Sequence, residues 1–188
     1  MRHSLRTLVL TTVVLSLTGC GYNKLQELDE GVNKAQAQIQ TQLQRRADLI
    51  PNLVETVKGV AAQETSVFTA VAEARSRLAG AVQSGNLSEM AEANAAMTAP
   101  LGRLLAIAEA YPELKSSANF TQLQDQLEGT ENRVAVARTD YNAAVEQFNA
   151  TIRRFPTNLT AKMFGLSKSR EYYEATAVNA QQAPAVEF

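Results

Sequence analysis

The sequence predicts an all-α protein: an antiparallel, up-and-down four-helix bundle with long helices, placed after a cleaved lipoprotein signal peptide. Three observations carry that expectation. Apolar residues recur three or four positions apart through most of the chain, and little alternates with period two. Turn signals are confined to a few places: Pro51, the QSGN stretch at 83–86, and Tyr111-Pro112. The first twenty residues have the order of an export signal rather than of a folded segment.

Within that leader, 1–6 carries two arginines and no acid, 7–17 is apolar or weakly polar, and Leu17-Thr18-Gly19-Cys20 closes it. The apolar run is too short for a mature span, which takes roughly 20 residues. The closing tetrapeptide matches the bacterial lipobox, whose small residues admit a signal peptidase to the bond before a diacylglyceryl-modified cysteine. Residues 1–19 are therefore expected to be removed and Cys20 to carry acyl chains such as palmitate, which bind the membrane without spanning it. Each buried CH₂ contributes about 0.8 kcal/mol, so two or three chains hold where one is marginal. Gly21 rather than an aspartate follows the cysteine. By similarity to the sorting rule of Gram-negative lipoproteins, that points to the periplasmic face of the outer membrane.

Processing also removes chemistry. The only histidine is His3 and the only thiol is that of Cys20. Ser-His-Asp and Cys-His nucleophile systems are thereby excluded, as are zinc sites built on His or Cys and disulfides. The formal charge of −1 becomes more negative once Arg2 and Arg6 leave, which is no nucleic-acid footprint. No glycine-rich phosphate loop opens a helix. No cofactor, no metal and no enzymatic activity are expected.

The domain proper is expected over 20–174, with a C-terminal tail at 175–188. Its first helix shows one narrow stripe: Leu25, Leu28, Val32, Ala35, Ile39 and Leu43. Then comes RRADLIPNLVETVKG, 45–59. Proline inside a helix costs about 3 kcal/mol and in the first turn costs little. Asp48 is suited to capping a new helix, and Ile50, preceding a proline, is pushed away from helical backbone. The preferred reading therefore places a turn at 48–51. The competing reading is one kinked helix over 22–82, because Leu43, Ala47, Ile50, Leu53 and Val57 keep phase across the proline.

The second stripe runs to Val82. A third holds Leu87, Met90, Met97, Leu101 and Leu104, and ends at Tyr111. The fourth keeps a seven-residue, coiled-coil-like cycle from Phe120 through Leu123, Leu127, Val134, Tyr141, Val145, Phe148 and Ile152 to Phe155. The stretch TIRRFPTNLTAKMFGLSKS, 151–169, sets Arg153, Arg154, Lys162 and Lys168 among Phe155, Met163, Phe164 and Leu166. It is expected to be a helix C-terminus followed by a short helix that packs its apolar residues back on the bundle end. Contact with anionic headgroups is the other reading. The last residues, AQQAPAVEF, are expected to be disordered in isolation, although Pro184, Val186 and Phe188 alternate as a docking strand would.

Glu64, Arg75, Glu131 and Arg138 lie on or beside the apolar stripes, and Asp48 is placed to reach Arg133 or an arginine of a neighbouring helix. They are candidates for an internal polar network or pocket that fixes helix register at some cost in stability; solvated flanking charge is the plainer alternative. Glu64, Glu128 and Glu131 could at most offer oxygen ligands to a hard cation, since the di-metal site of bundles needs Glu-x-x-His. Tyr22-Asn23, Tyr141-Asn142 and Asn149 could form a polar layer.

At Tyr22-Asn23, RRADLIPNLVETVKG, Ala74-Arg75, the long block over 111–165 and the closing Pro-x-Val-x-Phe, the chain resembles the LemA family. The resemblance implies a bacterial membrane-tethered protein with an antiparallel bundle of four helices. Typical members look anchored by an N-terminal transmembrane helix, whereas a lipobox stands here. Where the family tends to have tyrosine and histidine, this chain has Val60 and Gln63. Members are associated with envelope and membrane organisation, including relatives in magnetosome formation, with no established reaction. The expected function is thus a lipoprotein acting as a non-enzymatic scaffold or adaptor of the cell envelope. Its expected partners are the membrane, through lipid on Cys20, and an envelope protein. A small-molecule or ion-binding module in the bundle is the alternative.

Overall fold

Helical periodicity becomes helical backbone throughout the computed structural model, which describes residues 2–174, with side chains from Gly21 onward. The lipobox side chains and the 175–188 tail, with Pro184, Val186 and Phe188, lie outside the described residues. The elements are α1 (Arg2–Lys58), α2 (Thr65–Ser84), α3 (Leu87–Ala110), α4 (Pro112–Lys115), α5 (Ala118–Arg153) and α6 (Thr157–Met163). No strand occurs among the described residues. The chain is all-α.

The turn expected at 48–51 is absent: α1 passes through Pro51 and ends only at Lys58. Proline lacks the N–H that would bind the carbonyl four residues back, here that of Ala47. That carbonyl instead accepts from Arg75 Nε of α2 at 2.9 Å. The donor lost to proline is replaced from another helix, and the apolar stripe stays in phase, with Leu43, Ala47, Ile50, Leu53 and Val57 all buried. A single helix over 22–82 is also absent. Beyond Lys58 the chain turns, with Gly59 N–H donating to Glu55 O (3.2 Å), Ala61 N–H to Val57 O (2.9 Å) and Glu64 N–H to Ala61 O (3.1 Å). Glycine, among the poorest helix formers, stands where the helix ends.

The chain divides into two compact units. One comprises Gln38–Arg138 with Tyr173 onward. In it, the last part of α1, α2, α3 and the first part of α5 supply the buried residues, among them Ile50, Leu78, Met90, Met97, Leu104 and Val134. The α2–α3 junction follows the QSGN signal: Gly85 closes α2 in the left-handed region (φ 69°), which glycine enters without a Cβ clash. Asn86 then caps α3, its Oδ1 accepting from the Ser88 and Glu89 N–H groups at 2.9 and 3.2 Å.

The other unit comprises the chain up to Ala37 with Thr139–Tyr172. Leu25, Val32 and Ala35 of α1 and Tyr141, Val145, Phe148 and Ile152 of α5 are buried there. An irregular segment after α6 is tied to α5: Asn149 Nδ2 donates to Arg170 O (2.9 Å) and its Oδ1 accepts from Arg170 N–H (2.8 Å). The Tyr141 hydroxyl donates to Glu171 O at 2.9 Å. Arg170 Nη2 pairs with Asp29 Oδ1 of α1 at 2.6 Å. Tyr141 and Asn149 thus grip a returning chain, a use their spacing did not suggest.

The stretch at 151–169 corrects an expectation. α5 does end at Arg153, a cation in its last turn, but of the apolar residues that follow, Phe155, Leu159 and Met163 do not pack back, Phe164 meets the ring of Tyr22, and Leu166 is half-buried. Phe155 is 80% exposed, Met163 65%, Leu159 58% and Phe164 48%. It is Thr160 and Ala161 that α6 buries.

Candidate functional site

An internal polar group in the unit spanning 38–138 centres on Arg46. This residue occupies the apolar stripe of α1, between Leu43 and Ile50, and its side chain is only 6% exposed. Nη1 donates to Asn94 Oδ1 of α3 at 2.7 Å and pairs with Glu131 Oε2 of α5. Nε is buried without a hydrogen-bond partner. Glu131 reaches in from solvent, its side chain about half exposed. One guanidinium therefore ties three helices, with the carboxylate as the solvent-facing end of the chain of contacts. Burial lowers the pKa of Arg46 from its ordinary value, against the attraction of Glu131 and then of Tyr173, which both favour the cation.

Tyr173 belongs to the same neighbourhood. It is buried, and the Arg138 guanidinium stands 4.9 Å from its ring centroid, within range of a cation–π attraction. Burial raises the Tyr173 hydroxyl pKa, Arg138 opposes that, Glu131 adds to it and Arg46 opposes it. A phenol whose folded pKa exceeds its unfolded value of about 10 contributes stability that is complete below that pH and lost as pH rises through the folded pKa. The urea midpoint is accordingly expected to hold up to about pH 10 and to fall as pH rises further, less so in Tyr173→Phe, which has no phenol to ionise. An unchanged pH slope in Tyr173→Phe would assign the alkaline loss elsewhere.

Of the five residues singled out by sequence, Glu131 and Arg138 meet in this neighbourhood. Arg75 sits apart from them, on the Ala47 carbonyl. Asp48 is exposed and accepts from Gln44 of its own helix at 2.9 Å. Glu64 occupies the N-cap position of α2 without a side-chain capping bond. Arg46 and Asn94 were missed as members of the group, although both fall on their stripes: 43-46-50 in α1 and 90-94-97 in α3. The expected turn at 48–51 hid the first.

A cleft of about 480 Å³ lies in the same unit, lined among others by Pro51, Lys58, Phe68 and Arg75. Neither Glu64 nor Glu131 lines it. Among the described residues, no three His, Cys, Asp or Glu side chains stand together as a metal-binding group. Glu128, the remaining carboxylate considered for a cation, accepts from Gln124 at 3.2 Å. No helix of the described residues is long and apolar enough to cross a membrane.

Comparison with known proteins gives one family. The model of the LemA family matches residues 35–188. Two curated relatives from Paramagnetospirillum magneticum, magnetosome protein MamQ 1 and magnetosome protein MamQ 2, are each 26% identical over 83% of this chain and 66% of their own length. Magnetosome protein MamQ of Magnetospirillum gryphiswaldense is 25% identical with the same coverage. The chain spans just under two thirds of the length of these relatives.

Proposed function

Because this chain belongs to the LemA family, we propose that it is a lipid-tethered, non-enzymatic scaffold of the bacterial envelope. Acyl chains on Cys20 hold an up-and-down four-helix bundle at a membrane surface, where it recruits another envelope protein. The observation that carries this reading is the lipobox, Leu17 to Cys20, joined directly to the helix that enters the fold. Relatives named as magnetosome proteins support a membrane-associated role. Gly21 after the cysteine favours the periplasmic face of the outer membrane. The internal use of Arg46, Glu131 and Arg138 fits side chains that set helix register.

Cells supplied with a labelled fatty acid are expected to label the wild-type protein and not Cys20→Ala. Label that persists in the variant overturns the tether. Photoreactive residues along the exposed helix faces are then expected to capture one envelope protein, with capture lost in Cys20→Ala. If no face captures a partner, the ligand-binding alternative takes precedence. It would use the cleft beside Pro51, with Lys58 and Arg75 as its cations, in place of the carboxylates Glu64 and Glu131.

A further inference from the structure

We infer that α6 and the residues flanking it form a membrane-contacting foot, which inserts Phe155, Leu159, Met163 and Phe164 among anionic lipid headgroups beside the tether. The inference deepens the lipoprotein reading and rests on it for the position of the bilayer.

Four large apolar side chains within ten residues are exposed in this stretch, while α6 turns two small ones, Thr160 and Ala161, inward. A water-facing helix would distribute these the other way round. The cations among them, Arg153, Arg154, Lys162 and Lys168, are all exposed, and no acidic residue interrupts 147–170. Apolar residues flanked by Lys and Arg are the composition of an interfacial element: the former enter the acyl boundary, and the latter remain at the phosphates. This local balance contrasts with the chain as a whole, whose formal charge is −1. An anionic surface would therefore attract this stretch rather than the protein at large.

The position of the tether selects a bilayer over any other apolar partner. Gly21 packs on α6, where a Cβ on it would lie 3.6 Å from Thr160 Oγ1 and 3.9 Å from Thr157. The next residue, Tyr22, sets its ring against that of Phe164, tilted by 46° with centroids 4.4 Å apart. Cys20 is one peptide before Gly21, about 3.8 Å between Cα atoms. Acyl chains on that cysteine place the membrane surface against the same short helix that exposes the apolar residues. An acylated cysteine beside a basic and apolar patch brings two membrane-binding signals to one place.

The chain contains no tryptophan, so single substitutions report without background. Full-length Leu159→Trp and Phe164→Trp, purified from cell membranes, would be reconstituted into vesicles of phosphatidylethanolamine and phosphatidylglycerol containing brominated lipid. Ala143→Trp is the control, exposed on α5 about 15 Å back from Arg153. Emission from positions 159 and 164 is expected to shift to the blue and to be quenched several-fold more than from 143. Arg154→Glu with Lys162→Glu is expected to reduce that quenching on phosphatidylglycerol vesicles. Intact mass reports acylation of Cys20 in the same samples. Acylated protein with positions 159 and 164 no more quenched than 143 overturns the foot, including the case in which a protein covers this face. Quenching without acylation leaves the foot standing and removes the tether. Absence of both removes both.

Discussion

Glu131→Ala is expected to lower stability by about 2–3 kcal/mol, more than Arg46→Met, although Arg46 is the more buried partner. Removing the acid leaves a guanidinium that is 6% exposed without its counter-charge, and breaking a buried pair from one side costs about 3–5 kcal/mol. The half exposure of Glu131 admits water and moves the figure to the low end. Removing the base instead takes the buried charge away and replaces its stem with an apolar side chain of similar length. What remains is a carboxylate that can turn to solvent and Asn94 Oδ1 without its donor, a loss of about 1–2 kcal/mol. The gain offsetting that loss is specific: Arg46 Nε, buried without a partner, disappears with the substitution. In the Arg46→Met background, Glu131→Ala should have little further effect. Urea denaturation of the four proteins measures the cycle. Equal losses for both single variants, or additive losses in the double, would show that the pair carries no buried-charge penalty.

Arg75→Met is expected to cost about 2 kcal/mol, and almost nothing when combined with Pro51→Ala. The Ala47 carbonyl, deprived of its helical donor by Pro51, depends on Arg75 Nε. Leaving it unsatisfied costs about 1–3 kcal/mol. Restoring an N–H at position 51 closes the ordinary helical bond to the same carbonyl, so Arg75 becomes dispensable. Pro51→Ala alone should stabilise, because proline in a helix interior is about 3 kcal/mol less favourable than alanine. The prediction therefore lies in the coupling: residues that share a partner depart from additivity by about 0.5–3 kcal/mol. Additive losses across the cycle would mean that Arg75 stabilises the fold through packing of its stem rather than through the carbonyl.

The pairing of Pro51 with Arg75 explains why the expected turn at 48–51 does not form. Part of the cost of a proline in a helix is the carbonyl it orphans, and that part is removed when another group donates to it. Here the donor comes from a residue 28 positions further on, and no local rule contains that information. The phase of Leu43, Ala47, Ile50, Leu53 and Val57 did contain the other half of the answer, since a turn would have reset it. The same phase separates Arg46 from Asp48. Two residues apart is about 200° around a helix. If the helix is continuous, one of them faces the core and the other faces solvent. Assuming a turn exchanged their roles, making Asp48 a candidate for the interior.

Short elements were legible in composition but not in orientation. The basic and apolar residues at 151–169 stood out, and α5 ends at Arg153 near the end of its heptad cycle. Which side of the following turn faces inward depends on what it meets. Thr157 and Thr160 approach α1 at Gly21, Thr160 and Ala161 are buried, and Leu159 and Met163 are left facing outward. Likewise, Asn149 and Tyr141 read as polar residues of one helix. Their partners, Arg170 and Glu171, lie on a segment whose path has no periodicity to follow.

Sequence by itself determined the all-helical class, the α2–α3 junction at Gly85 and Asn86, the extents of α3 and α5, and the family, because apolar period and capping chemistry act within a few residues. The tertiary structure alone decided that α1 runs through Pro51, that Arg46 rather than Asp48 is the internal charge, and that the apolar side of the 151–169 stretch faces out. Each of these depends on which distant group satisfies a carbonyl, balances a charge or occupies a surface, and that is settled only when the helices meet.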